Sequence, residues 1–514
     1  MRKWIDFTTL FVMLISVPAL SAQEVKTISL EECILSAVEN NLNVAVQILN
    51  PRLSDISVAL ANEKFIPQLG FNFNTRSTVE PSFSWVDATG DLNTELKQYT
   101  AQLIQEIPTG GNLTIQFYSY DQDTNRNLQT INPLYYGSLS FQLEQPLLKD
   151  FGFKMSRREI LMARTSRDIS ERQFEETLLQ TIYDVESAYW NLVFSIEDLQ
   201  VRQRSLALAR DLLRKNRREV EVGTLAPIEI LTAEAEVAAR EADILQSEVL
   251  VKNNEDTLKT MINKYTGMGE AGSQILPRDK PTSSERRVDI ESALATAMSH
   301  RPDLKRYKLE IKNRDLDFSY AKNQLLPDLS LTANYWSPAI SGTRILYQNN
   351  DPLTGVVVGT VPGKFSEIFS NVLDFNYKNW SVGVTFTVPI NSIFSRAQYA
   401  QARVNLDQAM NTLKYQEQQV FLEIRNAVRT VQTNFKRITA YRAARELAEE
   451  RLAAEEKKLK VGISTNYVVL QMQRDLATAQ SNELQAIIDY NLSLAALDRA
   501  QGVSIANKNI TLSY

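Results

Sequence analysis

Apolar and polar residues alternate with period two in several stretches of this chain. Leu69, Phe71 and Phe73 oppose Gly70, Asn72 and Asn74, and Leu139, Phe141 and Leu143 oppose Ser140, Gln142 and Glu144. Leu329, Leu331, Ala333 and Tyr335 oppose Ser330, Thr332 and Asn334, and Val382, Val384, Phe386 and Val388 oppose Ser381, Gly383, Thr385 and Thr387. Weaker alternation over 99–106 and 113–118 flanks the turn Pro108-Thr109-Gly110-Gly111. Such a period predicts strands with one apolar and one polar face. Elsewhere the period is helical. Neither Pro nor Gly occurs from 157 to 222, where Ile182, Val185, Tyr189, Leu192, Ile196 and Leu199 step by threes and fours as a coiled-coil seam. A helix of that length extends about 100 Å at ~1.5 Å per residue. Pro227 then falls in the first turn of a second helix, expected to reach about residue 263. Helices are likewise expected over 395–461, with the seam Ile424, Val428, Val431, Phe435 and Ile438, and over 466–501. Gly223 and Gly462 break these two helical hairpins.

The order of elements occurs twice. Residues 28–69 and 288–329 follow one pattern at an offset of 260: Leu30 matches Ile290, Glu31 matches Glu291, Ala37 matches Ala297, Asp55 matches Asp315, Ala61 matches Ala321 and Pro67 matches Pro327. Further on, Pro146 matches Pro389 and Val222-Gly223 matches Val461-Gly462. Each half reads helix, Pro, alternating strands, Pro, long helix, Val-Gly, long helix. The expected division is repeat 1 over 23–275, with strands at about 68–145 and a helical hairpin at about 157–263. Repeat 2 covers 276–514, with strands at about 328–389 and a hairpin at about 395–501.

The alternating stretches fit either a soluble sheet packed on the helices or a membrane barrel with lipid outside and a polar lumen. Three features favour the barrel. The stretches approach the ~9–11 residues that a tilted spanning strand needs. Aromatic pairs gather where strands run out into loops: Phe83 and Trp85, Tyr118 and Tyr120, Tyr135 and Tyr136, Tyr335 and Trp336, Tyr377 and Trp380. Such clusters suit an interfacial belt. The loops beyond them, 121–132 and 348–370, are long and polar or Gly-rich. Barrels close with about eight strands or more, and an open edge is not tolerated in lipid. Four to six strands per chain therefore require several chains to share one barrel.

Composition narrows the chemistry. A net charge of −5 gives no reason to expect nucleic-acid binding. One Cys and one His leave no material for zinc clusters, disulfide frameworks or the usual Ser/His and Cys/His catalysis. Cys33, on an apolar helical face with Ile34 and Ala37, reads as a buried inert thiol. His300, just before a helix started by Pro302, reads as structural. Paired carboxylates such as Glu175 and Glu176 lie on a helix surface without a pocket, so no enzyme, cofactor or metal is expected. Residues 1–22 read as a secretion signal, with basic Arg2 and Lys3, an apolar run over 10–20 and small residues for cleavage near Gln23. That run is shorter than the roughly 20 residues of a span, and no Cys at the cleavage site offers a lipid anchor.

These motifs resemble the TolC-like outer-membrane efflux protein family of Gram-negative bacteria. The resemblance runs over nearly the whole mature chain. It rests on His300-Arg301-Pro302-Asp303-Leu304 leading to Leu325-Leu326-Pro327-Asp328-Leu329, and on Leu143-Glu144-Gln145-Pro146-Leu147-Leu148. It rests also on the two Val-Gly turns, each followed eight residues on by Leu231 or Leu470. It implies a mixed fold, internally duplicated: an all-α coiled-coil barrel plus a transmembrane β-barrel, shared by a homotrimer. It implies an exit duct of a tripartite efflux or type I secretion system in the outer membrane, extending into the periplasm. The implied partners are a periplasmic adaptor (membrane fusion protein) and an inner-membrane pump of RND or ABC type. The Val-Gly turns become docking tips: Val222, Gly223, Thr224, Val461, Gly462 and Ile463. A belt is implied where the chain crosses between halves, around 264–285. The family carries acidic residues six and nine positions after the second Gly; here those are Val468 and Gln471, whereas the first half has the acidic Glu229, the candidate aperture residue. A basic residue four before each Gly is met by Lys458 but not by Glu219, whose neighbour is Arg218. Family members often supply four strands per chain, and the hairpin around 108–111 is extra. The competing reading is a structural or adhesive coiled-coil protein of the cell envelope, which would need neither strands with aromatic ends nor a duplication.

Overall fold

The computed structural model describes residues 25–84, 86–87, 90–264, 274–508 and 510. The expected signal segment, Trp85 and residues 265–273 of the expected crossing lie outside the described residues. In chain order the elements begin with β1 (Val25–Ile28), α1 (Leu30–Asn40), α2 (Leu42–Gln47), α3 (Leu49–Glu63), β2 (Gln68–Pro81), β3 (Asp91–Glu106) and β4 (Asn112–Thr124). They continue with β5 (Ile131–Pro146), α4 (Phe153–Ser156), α5 (Arg158–Glu221), α6 (Ile228–Ile262), β6 (Gln274–Pro277), α7 (Ile290–His300) and α8 (Pro302–Asn323). The last are β7 (Asp328–Tyr347), β8 (Val357–Val361), α9 (Glu367–Leu373), β9 (Asn379–Thr387), α10 (Ile393–Lys460), α11 (Asn466–Gln501) and α12 (Ser504–Asn507).

The duplication is structural as well as sequential. Helices α1 and α7 each span 11 residues, 260 apart. Ser29 caps the first by accepting from the Glu32 amide while the Glu32 carboxylate accepts from the Ser29 amide; Asp289 caps the second by accepting from the Ser292 amide. Both stop on a residue whose ψ leaves the helical range, Asn41 (ψ 126) and Arg301 (ψ 124). The next helix differs between halves: α8 is continuous, whereas its counterpart is split into α2 and α3. Pro51 lacks the N–H that would bond the carbonyl of Gln47, where α2 ends.

The chain divides into two compact units. Among the described residues, one holds those within 25–48, 174–302 and 418–510. Its strands β1 and β6 pair in parallel. The seam positions Ile182, Val185, Tyr189 and Leu192 are buried with Cys33, Ile34, Ala37, Leu258, Ile262, Ile275 and Ile488 in one core. Burial pushes the Cys33 thiol up to about 12, so it stays protonated and inert at neutral pH. The Tyr189 hydroxyl bonds the Asp279 carboxylate (2.9 Å) and accepts from the Asp279 amide (3.0 Å), fixing the segment after β6. Tyr490 and Asn491 of α11 hold that segment further on, through Arg286 and Thr282. His300 is exposed at the end of α7 and contacts Ser299 and Thr296. A second core, Ala209, Leu212, Leu213, Ala233, Leu452, Val469 and Leu470, packs α5, α6, α10 and α11 together.

The other unit holds 49–173 and 303–417. Its seven-stranded sheet runs β2-β3-β4-β5-β7-β8, with β9 also pairing β7. Every pairing is antiparallel. Several strands outrun the alternation that announced them: β3 begins at Asp91, β4 reaches Thr124 and β7 reaches Tyr347. Beyond the apolar band the strict alternation is interrupted, by Asp121 and Asp123 in β4 and by Gly342 and Arg344 in β7, yet backbone pairing continues. The expected irregular loop over 348–370 is likewise partly regular, containing β8 and the start of α9. No helix among the described residues is long and apolar enough to cross a membrane.

Candidate docking tips and conduit wall

The two Val-Gly turns have one geometry. In the first, the Gly223 amide donates to the Val220 carbonyl (3.0 Å) and the Thr224 amide to that of Glu219 (2.9 Å). In the second, the Gly462 amide donates to Leu459 (3.1 Å) and the Ile463 amide to Lys458 (3.0 Å). These paired bonds to the last carbonyls form a Schellman motif, which requires a left-handed residue after the helix. Both glycines supply it with φ +78°. The motif normally tucks its following side chain against the helix. Here Val222, Val461 and Ile463 are 73%, 71% and 72% exposed, and Thr224 is exposed too. Ile228, Leu231 and Tyr467 add further exposed apolar surface nearby in sequence.

The flanking charges differ between the turns. The Lys458 ammonium meets Glu455 Oε2 at 2.9 Å, and the Ser464 hydroxyl donates to the other Glu455 oxygen. The Ser464 bond, then Lys458, holds the half-buried Glu455 carboxyl below its usual range. In the first turn the Glu219 carbonyl accepts twice from Thr224, while its carboxylate faces Lys215 at 3.6 Å.

Glu229 sits in the first turn of α6, half-buried rather than at the tip itself. One carboxylate oxygen is buried with no hydrogen-bond partner among the described residues. Fully buried Asn216 donates to the Glu229 backbone carbonyl (3.4 Å), and its own side-chain oxygen is also unpartnered. Each oxygen is a buried acceptor that would gain from a hydrogen-bond donor. Val468 is half-buried and Gln471 exposed on α11.

A charged cluster escaped the sequence reading. Arg240 is only 6% exposed. It donates to Glu236 (2.9 Å), to the Ser205 carbonyl (2.6 Å) and to the Leu470 carbonyl (3.1 Å). Arg474 of α11 closes on the other side of Glu236. Burial raises the Glu236 carboxyl, but bonds from Arg474 and Arg240 outweigh it and hold the group below its usual range. Asp198 of α5, also buried, accepts from Arg202 (2.7 Å) and from Ser481 of α11. The signal was present: Ala233, Glu236, Arg240, Ser247 and Val251 form one stripe at helical spacing, so the two charges share a face with core residues.

In the sheet, residues directly paired across antiparallel strands share a face. Ala101, Phe117, Leu139 and Ser337 are in register, as are Leu103, Ile115, Phe141, Tyr335 and Trp380, and Leu331 with Val384. Phe71 pairs Ala101 and Phe386 pairs Leu329, so one apolar face runs across the whole sheet. The opposite face carries Asn72, Thr100, Gln102, Gln116, Ser138, Ser140, Thr332, Ser330 and Thr385.

The aromatic belt is corrected by this register. Tyr135, Tyr335 and Trp380 lie on the apolar face, whereas Tyr118, Tyr120, Tyr136 and Trp336 lie on the polar one. Period two sends neighbours such as Tyr135 and Tyr136 to opposite sides. The three polar-face tyrosines cluster, Tyr120 stacking on Tyr136 at 5.0 Å. On the apolar face α9 buries Ile368 and Val372 against Ala339, Phe117, Tyr135 and Leu139. Gly137 permits that approach: a Cβ there would stand 2.1 Å from the Ile368 side chain.

Among the described residues no group of His, Cys, Asp or Glu is arranged to hold a metal. The chain matches the family model described as outer membrane efflux protein over residues 112–264 and 293–503. It is 20% identical over 364 residues to nodulation protein T of Rhizobium leguminosarum bv. trifolii, covering 70% of this chain and 71% of that one. It is 23% identical over 340 residues to outer membrane protein TolC of Vibrio cholerae, covering 65% and 70%. A crystal structure of a membrane protein from Pseudomonas aeruginosa superposes with a TM-score of 0.65 at 15% identity, covering 92% of this chain and 93% of that one.

Proposed function

The chain belongs to the family of outer membrane efflux proteins, and on that premise we propose that it is the exit duct of a tripartite efflux or type I secretion system. In this reading three copies assemble in the outer membrane, with the sheets forming a shared barrel and the long helices a periplasmic tunnel. The observation that carries it is the sheet: one continuous apolar face, one polar face, and two open edges. An open sheet of this kind is not tolerated in lipid, so the edges demand partners. A scaffold or adhesin of the envelope has no use for such a sheet.

The duct is passive. A polar inner face offers no reaction to drive transport, and members of the family are channels. Energy and selectivity belong to an inner-membrane pump of RND or ABC type, coupled through a periplasmic adaptor. Val222, Gly223, Thr224, Val461, Gly462 and Ile463 are the docking surface in this reading, supported by their exposed apolar side chains on two turns of the same shape. Glu229 is the aperture candidate, supported by its unpartnered carboxylate oxygen. The repeat division at 275/276 falls within β6, and each repeat then contributes one helical hairpin. Outer-membrane fractionation followed by light scattering in detergent tests the assembly. A trimer is expected; a monodisperse monomer, or a protein washed from the envelope in soluble form, overturns the proposal.

A further inference from the structure

Beside the tyrosine cluster on the polar face and the α9 patch on the apolar face stand the two sheet edges, on which the duct reading itself rests. The edges carry an argument furthest. It deepens the shared-barrel reading and rests on it.

A strand must run about 9–11 residues at its tilt to cross the hydrocarbon. β2 has 14 residues, β3 16, β4 13, β5 16, β7 20 and β9 9. All six qualify, and β8 with 5 does not. The turn between β3 and β4 is tied to the same end of the sheet as the helix connections. Thr109 bonds Gln145, just before the end of β5, and Gln105 bonds the Phe65 carbonyl between α3 and β2. The six strands thus alternate strictly in direction, and β3–β4 is a full spanning hairpin inside the wall.

The edges are complementary. β2 leaves one backbone side unpaired, and β9 leaves one at the opposite end of the strand order. β2 runs away from the helix connections and β9 runs back toward them, so β9 of one copy meets β2 of another antiparallel. We propose that each copy contributes six strands and that three copies close an eighteen-stranded barrel, β9 of one paired with β2 of the next. At ~4.8 Å between strands and ~40° tilt, eighteen strands place opposite backbones about 36 Å apart, against about 24 Å for twelve. The lumen is lined by amides and hydroxyls from Asn72, Thr100, Gln116 and Ser140, together with the tyrosine cluster. A bore of that width suits bulky polar cargo and makes the barrel an unselective segment of the duct.

Disulfide trapping separates the two layers of the argument. The first arm pairs Thr385→Cys in β9 with Gly70→Cys, Asn72→Cys, Asn74→Cys or Arg76→Cys in β2, all on the polar face, after mild oxidation in outer-membrane vesicles. At least one pair is expected to give a covalent trimer on a non-reducing gel, with each single variant remaining monomeric there. No cross-link at any position overturns the shared barrel itself. The second arm combines Asn72→Cys with Ser138→Cys in one chain. In the six-strand wall these sit three strands apart, about 14 Å, beyond the reach of a disulfide. If β2 instead paired β5 directly, with the hairpin outside the wall, this pair would oxidise within the chain. Such a bond, alongside success in the first arm, would overturn the strand count while leaving the duct intact. Counting strands in a cryo-electron-microscopy map of the trimer gives the same decision without substitutions: eighteen supports the proposal, and twelve refutes it.

Discussion

Replacing both tip glycines tests the docking surface against a purely structural role. Gly223 and Gly462 sit at φ +78°, where an L-residue costs about 1–2 kcal/mol. No heavy atom lies within 4 Å of the Cβ that either would gain, so a side chain meets open space and adds no clash inside the chain. The Schellman bonds are made by backbone atoms and survive as long as φ is kept. The expected loss for a Gly223→Trp, Gly462→Trp double variant is therefore about 2–4 kcal/mol per chain, as the sum of two such turns. The buried core of Ala209, Leu213, Val469 and Leu470 behind the tips is untouched. A Gly223→Asn, Gly462→Asn variant is the control, because Asn accepts the left-handed region with less strain. The assays are trimer thermal stability, cross-linking to the adaptor, and efflux in cells. Both variants should form trimers. The Asn variant should retain adaptor cross-linking and efflux, and the Trp variant should lose both. Normal efflux in the Trp variant refutes the docking role. Equal loss in both variants would assign the glycines to the turn alone.

Val384→Lys places a charge on the apolar face opposite Leu331 and should cost about 2–4 kcal/mol if it lies near the bilayer midplane, read as lost assembly; full assembly would remove that strand from the lipid-facing wall. Glu229→Gln should change single-channel conductance or its block by cations, and an unchanged channel would strike this carboxylate from the aperture. Glu236→Gln leaves Arg240 buried without its counter-charge and should cost about 3 kcal/mol or more at neutral pH. Because the folded Glu236 carboxyl titrates below its usual value, its contribution is complete above about pH 4.5 and is lost as pH falls through the folded value. The stability gap between wild type and Glu236→Gln should therefore close in acid, and a gap constant from pH 7 to 3 would contradict the charge argument. Gly137→Leu fills the space occupied by Ile368 and should release α9 from the sheet, measured as protease sensitivity of the segment around 365–375; an intact segment would mean α9 is held elsewhere.

Much of this protein was legible in one dimension. Long helices without Pro or Gly declare themselves because each turn repeats the same local bonds, and α11 begins and ends where the periodicity and the Gly at 502 require. The duplication was readable for the same reason: caps at Ser29 and Asp289 and stops at Asn41 and Arg301 are local chemistry copied 260 residues apart. The glycine turns were also local, since a left-handed position after a helix needs no distant partner.

What the sequence could not supply depends on which residues meet across long separations. The strand ends at Asp91, Thr124 and Tyr347 are fixed by backbone pairing with neighbours, which continues where hydrophobic alternation stops. Register decides that Tyr136 and Trp336 face the polar side while Tyr135 and Tyr335 face the other. The Arg240 cluster joins α5, α6 and α11, and its burial exists only because the helices pack with that stripe inward. The seating of α9 on Gly137 depends on a contact over more than two hundred residues of chain. Local conformation follows from short-range sterics and hydrogen bonds, and these are written in order along the chain. The strand count, the faces and the buried charges follow from pairing between distant segments, and only the folded arrangement selects among the pairings that the same local pattern allows.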